Sequence, residues 1–321
     1  MVLVMSVLSR EYFHNEAKAF EHVESVLWPK GPVCPHCGNA DRIYKLDGVY
    51  SKPSKKNPEG VERHGLKKCA ACRKQFTVRI GTIFEESHIP LHKWLQAIHL
   101  ICSSKKGISA NQLHRVLEIT LKSAWFLGHR IREAMRSGEL EPMGGRGKVV
   151  EADETYFGNR EVIRKRTVRG KPTIGGKRVV VSLVERGGKV RSFHVDKVNK
   201  SVVTAIVRQN MRKESTFYTD ESRLYTDIHN EVRNSGTVTH SAGEYVRGMV
   251  HTNTIEGYYS IFKRGMKGVY QHCAEKHLHR YLAEFDFRYN NRVALGVDDG
   301  DRAFNALVGA TGKRLTYNQT N

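Results

Sequence analysis

Residues 251–264 read HTNTIEGYYSIFKR, and the fold turns on what Glu256 does there. On a helix Glu256 and Lys263, seven residues apart, are two turns and about 10 Å from each other on nearly one face. That face is either solvated surface or a catalytic ridge. Taken alone, a helical glutamate is more often solvated, so the choice rests on what the remainder of the chain supplies to meet it.

Two further carboxylates come from strand-like stretches. VVEAD ends on Asp153 and FYTD on Asp220, and 35 residues separate Asp220 from Glu256. Cutting or joining a phosphodiester calls for metal ions held by carboxylates, one ion for the attacking oxygen and one for the leaving oxygen. Each aspartate has rivals: strand alternation puts Glu151 on the face of Asp153, and Glu221 and Asp227 lie near Asp220. Asn253, three residues before Glu256, falls on the same side of the helix and is an auxiliary candidate.

Six cysteines include two CxxC pairs, Cys34 with Cys37 and Cys69 with Cys72. Four thiolates on two tight turns suit tetrahedral zinc and fit a reducing compartment better than a disulfide framework. The 31 residues between Cys37 and Cys69 are long for a zinc ribbon, so SKPSKKNPEG reads as an insertion within it. Cys102 and Cys273 read as packing residues.

Between Leu91 and Arg136 the periodicity is helical in three pieces, with Ser109 and Thr120 at N-cap positions and Gly138 at a stop. The last two pieces have the lengths of a helix-turn-helix. Lys122, His129, Arg130 and Arg132 would then face DNA while Ala124, Leu127 and Ile131 pack inward; a plain three-helix bundle fits the same pattern. After the glycine-rich EPMGGRGK the pattern becomes strand, strand, strand, helix, strand, which is an α/β order.

The net charge of +20, from 53 basic and 33 acidic side chains spread along the chain, points to a polyanionic partner. Arg164 and Arg166 lie in a basic, glycine-interrupted loop, Gly158–Arg178, placed to embrace DNA. No apolar run approaches the roughly 20 residues that span a bilayer, and the start MVLVMSVLSREYF is not a convincing signal peptide, so a cytoplasmic protein with no membrane partner is expected.

An aspartate, a distant aspartate, a glutamate 35 residues later and a lysine seven beyond it is the arrangement of DDE transposases. With VEADETYFG, YTDESRLY, HTNTIEGYYSIFKRGMKGVY and KHLHRYLAEFDFRYNNR, the chain resembles the bacterial insertion-sequence transposases of the ISXO-like group from Cys34 to Arg292. The resemblance implies a multidomain α/β protein with a zinc ribbon, a helix-turn-helix-like segment and a ribonuclease H-like mixed-sheet catalytic domain. It implies a nucleoid-associated bacterial enzyme that binds terminal inverted repeats and target DNA, acting as at least a dimer. Asp153, Asp220 and Glu256 would hold two magnesium (or manganese) ions, one structural zinc would sit on the cysteines, and Lys263, with Arg264 beside it, would contact the transposon end. The alternative is a regulator derived from a transposase that binds DNA without cutting it. Expected divisions are a helical segment over 1–30, the ribbon over 31–87, the helix-turn-helix-like segment over 88–140, the catalytic domain over 141–300 and a weakly patterned tail over 301–321.

Overall fold

The computed structural model describes residues 6–316 except 56, 139 and 159–176. The chain forms two compact units: one takes in the chain up to Ser104, Ile108–Met135 and the stretch from Asp299 onward, the other Lys105–Gly107 and Arg136–Asp298.

In the first unit, α1 (Glu16–Leu27) starts where Asn15 accepts a hydrogen bond from the Lys18 amide, and it buries Ala19, Phe20 and Val23 along one stripe. Three short antiparallel strands follow in spatial order, β1 (Ile43–Lys45), β2 (Lys67–Cys69) and β3 (Gln75–Phe76). The inserted segment between β1 and β2 doubles back on itself, with Tyr50 bridging Glu62 and the Ser51 amide donating to the Val61 carbonyl. It lengthens the ribbon's hairpin rather than adding to its core.

Next come α2 (Leu91–Ser103), α3 (Ala110–Leu117) and α4 (Leu121–Met135). Ser109 and Thr120 cap α3 and α4 as expected, each hydroxyl accepting from the amide three residues on at 3.1 Å. Glu118 turns the chain between them in the left-handed conformation. Ala124, Leu127 and Ile131 are buried as anticipated, but so are His129, Arg130 and Arg132. The Arg130 guanidinium donates to the carbonyls of Leu315, Ile83 and Glu85, all within the unit, so it is a tie in the interior and not a cation offered to DNA. Helical periodicity marks one apolar face. It gives no sign that the second half of α4 is enclosed on every side.

The tail also departs from expectation. Asp299–Val308 is a helix that buries Arg302, Ala306 and Leu307, and Arg302 donates to the carbonyl of Cys102 at the end of α2. It belongs to the N-terminal unit.

The second unit is built on a five-stranded mixed sheet. β4 (Val149–Phe157) pairs antiparallel with β5 (Arg178–Glu185), which pairs antiparallel with β6 (Val190–Val195). After α5 (Lys200–Asn210), β7 (Thr216–Asp220) lies parallel to β4 on its other side. A one-turn helix, α6 (Thr226–His229), leads to β8 (Asn234–Val238), parallel to β7, giving the order β6-β5-β4-β7-β8. A small hairpin, β9 (Val246–Arg247) and β10 (Val250–His251), precedes α7 (Asn253–Gly265) and α8 (Leu278–Asn290); the tail helix is α9.

β5, reading RVVVSLVE, is buried on both sides because the sheet is covered on both. Val150, Ala152, Val181 and Phe217 pack with Val203 and Val207 of α5 on one face. Val180, Val184 and Val190 pack with Ile255, Tyr258, Tyr259 and Phe262 of α7, and with α8, on the other. At Gly265 a Cβ would meet the Phe285 ring at 2.4 Å and the Lys106 carbonyl oxygen at 2.7 Å, so only glycine lets α7 close onto α8 there. The architecture is ribonuclease H-like.

Candidate active site

β4 and β7 run parallel with Val149 opposite Thr216, Val150 opposite Phe217 and Glu151 opposite Tyr218. Two residues further along that register Asp153 is level with Asp220. Adjacent parallel strands are about 4.8 Å apart and residues in register point to the same side, so both aspartates leave the same face of the sheet. That face carries α7, whose first turn presents Glu256. Along α7 the buried stripe is Ile255, Tyr258, Tyr259 and Phe262; Glu256, Ser260 and Arg264 form an exposed ridge, with Lys263 half-buried at its edge.

Burial pushes the Asp153 carboxyl up to about 8, with added repulsion from Asp220, Glu154 and Glu256. Its own Oδ1 accepts the Glu154 amide at 2.7 Å. Asp220 Oδ1 accepts the Ser222 amide at 3.0 Å, which fixes that carboxylate at the strand tip. Glu256 Oε1 accepts from the Thr252 hydroxyl at 2.9 Å and lies 3.9 Å from Nε2 of His240.

Of the rivals, Glu151 shares the face of Asp153 but is fully enclosed and bound to the start of α7. Glu154 points to the other face, where it accepts from Tyr225 at 2.9 Å, and burial raises it too. Asn253 is exposed at the first position of α7. Glu154 and His240 are neighbours of the site that spacing did not single out; one sits behind Asp153, and the other follows a strand too poor in β-forming residues to be recognised.

In the ribbon the four thiols converge. Cys34 Sγ is 3.6 Å from Cys72 Sγ and Cys37 Sγ 3.7 Å from Cys69 Sγ. Sulfurs held about 2.3 Å from a tetrahedral zinc are about 3.8 Å apart, so the spacing fits that ion. Each knuckle closes by a backbone bond, Gly38 amide to Cys34 carbonyl and Arg73 amide to Cys69 carbonyl. The Cys69 thiol is pulled down to about 6, chiefly by the backbone amide of Cys72. Among the described residues these thiols are the group of metal-ligating atoms that all lie within 4.8 Å of one another; the three carboxylates do not draw together that closely.

Residues 144–290 match the model of the ISXO2-like transposase domain, and residues 14–75 match that of the transposase zinc-ribbon domain. Together the two matches span about two thirds of the sequence. The chain belongs to the ISXO2-like transposase family.

This transposase is also similar to an uncharacterized protein in transposable element ISH50 of Halobacterium salinarum, at 26% identity over 288 residues, 86% of this chain and 91% of that one. Two solved structures superpose only loosely. The Mos1 strand transfer complex has 11% identity over 69% of this chain and 79% of that one, with a TM-score of 0.26. The Mos1 transposase paired-end complex with left transposon end has 13% identity over 68% and 79%, with a TM-score of 0.28.

Of the candidate DNA-binding residues of the transposase, Lys122 is exposed near the start of α4, and Arg264 is exposed on α7 with its guanidinium folded back onto Ser260. Lys263 Nζ lies 6.0 Å from the centre of the Tyr259 ring. Arg164 and Arg166 lie outside the described residues. Among the described residues no helix is long and apolar enough to cross a membrane.

Proposed function

We propose that the protein binds the terminal inverted repeats of an insertion sequence and catalyses metal-dependent strand cleavage and strand transfer, with Asp153, Asp220 and Glu256 as the catalytic acids. The observation that carries this reading is the register of β4 against β7. It sets two aspartates level on neighbouring parallel strands, on the face covered by the helix that brings Glu256.

Two aspartates on one face of the sheet and a glutamate on the helix that covers it suit a dication. The upward push on Asp153 is what burial beside other acids does when no positive charge is bound. Asp153, Asp220 and Glu256 would hold two magnesium (or manganese) ions, with Asn253 as an auxiliary ligand. Bound there, such ions polarise the attacking water or 3′ hydroxyl and offset charge on the leaving oxygen. The chain's own share is to keep the acids on one face, to shield Asp153 from water and to hold the DNA backbone. Lys263, near the ridge that starts at Glu256, suits a point charge on a phosphate.

The excess of basic over acidic side chains favours DNA as the partner, with the ribbon and Lys122 of the helical segment assigned to recognition of the ends. Two ends must be joined to one target, so at least a dimer is expected on DNA. The four thiols suit one structural zinc.

The test places a marker between the inverted repeats flanking the gene and scores its movement in cells with the wild-type protein and with Glu256→Gln. Movement lost with the substitution supports the reading. Equal movement with both rules out Glu256 as a ligand and turns attention to Asn253. No movement with either, despite tight DNA binding, favours a regulator.

A further inference from the structure

The start of α7 is held by a side chain from another part of the fold. Thr252 stands at the N-cap, yet its hydroxyl is turned to Glu256 and caps nothing. The exposed amides of the first turn go instead to Glu151 of β4. Its Oε2 accepts from the amides of Thr254 at 2.9 Å and Ile255 at 3.0 Å, and its Oε1 from the Thr254 hydroxyl at 2.8 Å. Arg186, just past the end of β5, donates to the same Oε1, and its other nitrogens bond the carbonyls of Met249 and His251 at 2.8 Å. Glu151 is completely buried, so its charge is met by this arginine and by the positive end of the helix.

A second tie lies further along. The Tyr259 hydroxyl of α7 donates to the carbonyl of Asp153 at 2.7 Å. Glu151 to Asp153 is two strand residues, about 6.6 Å; the Thr254–Ile255 pair to Tyr259 is four to five helix residues, about 6–7.5 Å. Strand and helix therefore advance in step between the two ties, in the same sense, and Glu256 falls between them.

We propose that Glu151 and Arg186 are positioning residues: a buried clamp that sets the register of α7 on β4, and with it the placing of Glu256 relative to Asp153. The clamp rests on the reading that these two acids share a metal site. An ordinary helix cap would secure the fold alone. This one joins the strand that carries one catalytic acid to the helix that carries another.

The test compares wild type, Glu256→Gln and Glu151→Gln for cleavage of an oligonucleotide bearing the terminal repeat, across a Mg2+ titration, together with DNA affinity and amide exchange. Glu151→Gln is expected to need about ten-fold more Mg2+ for half-maximal cleavage, within the range seen when groups behind metal ligands are changed, at unaltered DNA affinity. Its Thr254 and Ile255 amides are expected to exchange at least about ten-fold faster than wild type while Phe262 stays protected. Unchanged metal requirement and unchanged exchange would overturn the clamp. Cleavage that survives in Glu256→Gln sinks the catalytic reading instead, and the exchange data still decide whether Glu151 seats the helix. Should Glu151→Gln fail to fold, Arg186→Lys keeps a positive charge beside Glu151 but gives up the forked bonds to Met249 and His251. The same two shifts at smaller size support the clamp, and wild-type behaviour overturns it.

Discussion

In the ribbon, sulfurs 3.6 and 3.7 Å apart stand at the edges of a tetrahedron, whereas on the sheet burial beside other acids raises Asp153 to about 8 and Glu256 turns to a threonine. Zinc is held by deprotonated cysteines, which repel one another until the ion neutralises them. The acids are placed by the sheet and helix behind them, which bury Asp153 and keep its carboxyl protonated up to about 8 when no ion neutralises it. The thiol site therefore depends on its ion for its shape, and the carboxylate site depends on its sheet and helix.

The contrast is broken most severely by removing zinc. Cys69→Ser is expected to unfold the ribbon, since structural zinc sites carry roughly 10–16 kcal/mol. Amide exchange would show β2 losing protection while β5 keeps it; a protected β2 in the variant would mean that the ribbon stands without its metal.

Asp153→Asn should act in the opposite way, leaving the fold intact while lowering cleavage more than about a hundredfold, beyond what changes behind a metal ligand usually cost. It should also stabilise the metal-free protein. The folded chain binds the Asp153 proton far more tightly than the ordinary value of 3.8 allows. Folding therefore takes up a proton between about 4 and 8, and wild-type stability falls as pH rises through that window. Melting in chelator should show Asp153→Asn above wild type by a margin that widens from pH 4 to pH 8. A margin independent of pH would remove the case for a strained acid.

Arg130→Ala tests the reassignment within α4. Three carbonyls lose their donor, which is expected to cost about 2–4 kcal/mol in urea unfolding. A stable variant with weakened DNA binding would return Arg130 to the surface role read from sequence. Smallest is Lys263→Ala, expected to leave stability unchanged, weaken DNA binding a few-fold and lower the salt slope by about one. An unchanged slope would detach Lys263 from phosphate.

Much of this was legible in residue order. The CxxC pairs named all four thiols, and FYTD placed Asp220 at a strand end, because both signals are local; Asp153, expected at the end of VVEAD, instead lies mid-strand, since β4 continues to Phe157 against β5. β8, reading NSGTV, opens on Asn-Ser-Gly, which signals a turn and leaves only Thr237 and Val238 to announce a strand, and it forms because β7 offers it an edge. Arg130 and Arg132 looked like surface cations because burial of an arginine depends on carbonyls distant in sequence. Glu151 was a fair rival to Asp153 on alternation alone; only the packing of α7 a hundred residues later made it a support.

The parallel pairing of β4 and β7 also limits how such a chain can vary. The 66 residues between Asp153 and Asp220 are free to lengthen or shorten wherever they form loops. Parity is not free. One residue gained inside β7, ahead of Asp220, would turn that carboxylate to the α5 side and bring Thr219 to the site, with composition and length almost unaltered. A copy silenced in this way would still carry every motif, and only its strand phase would betray it.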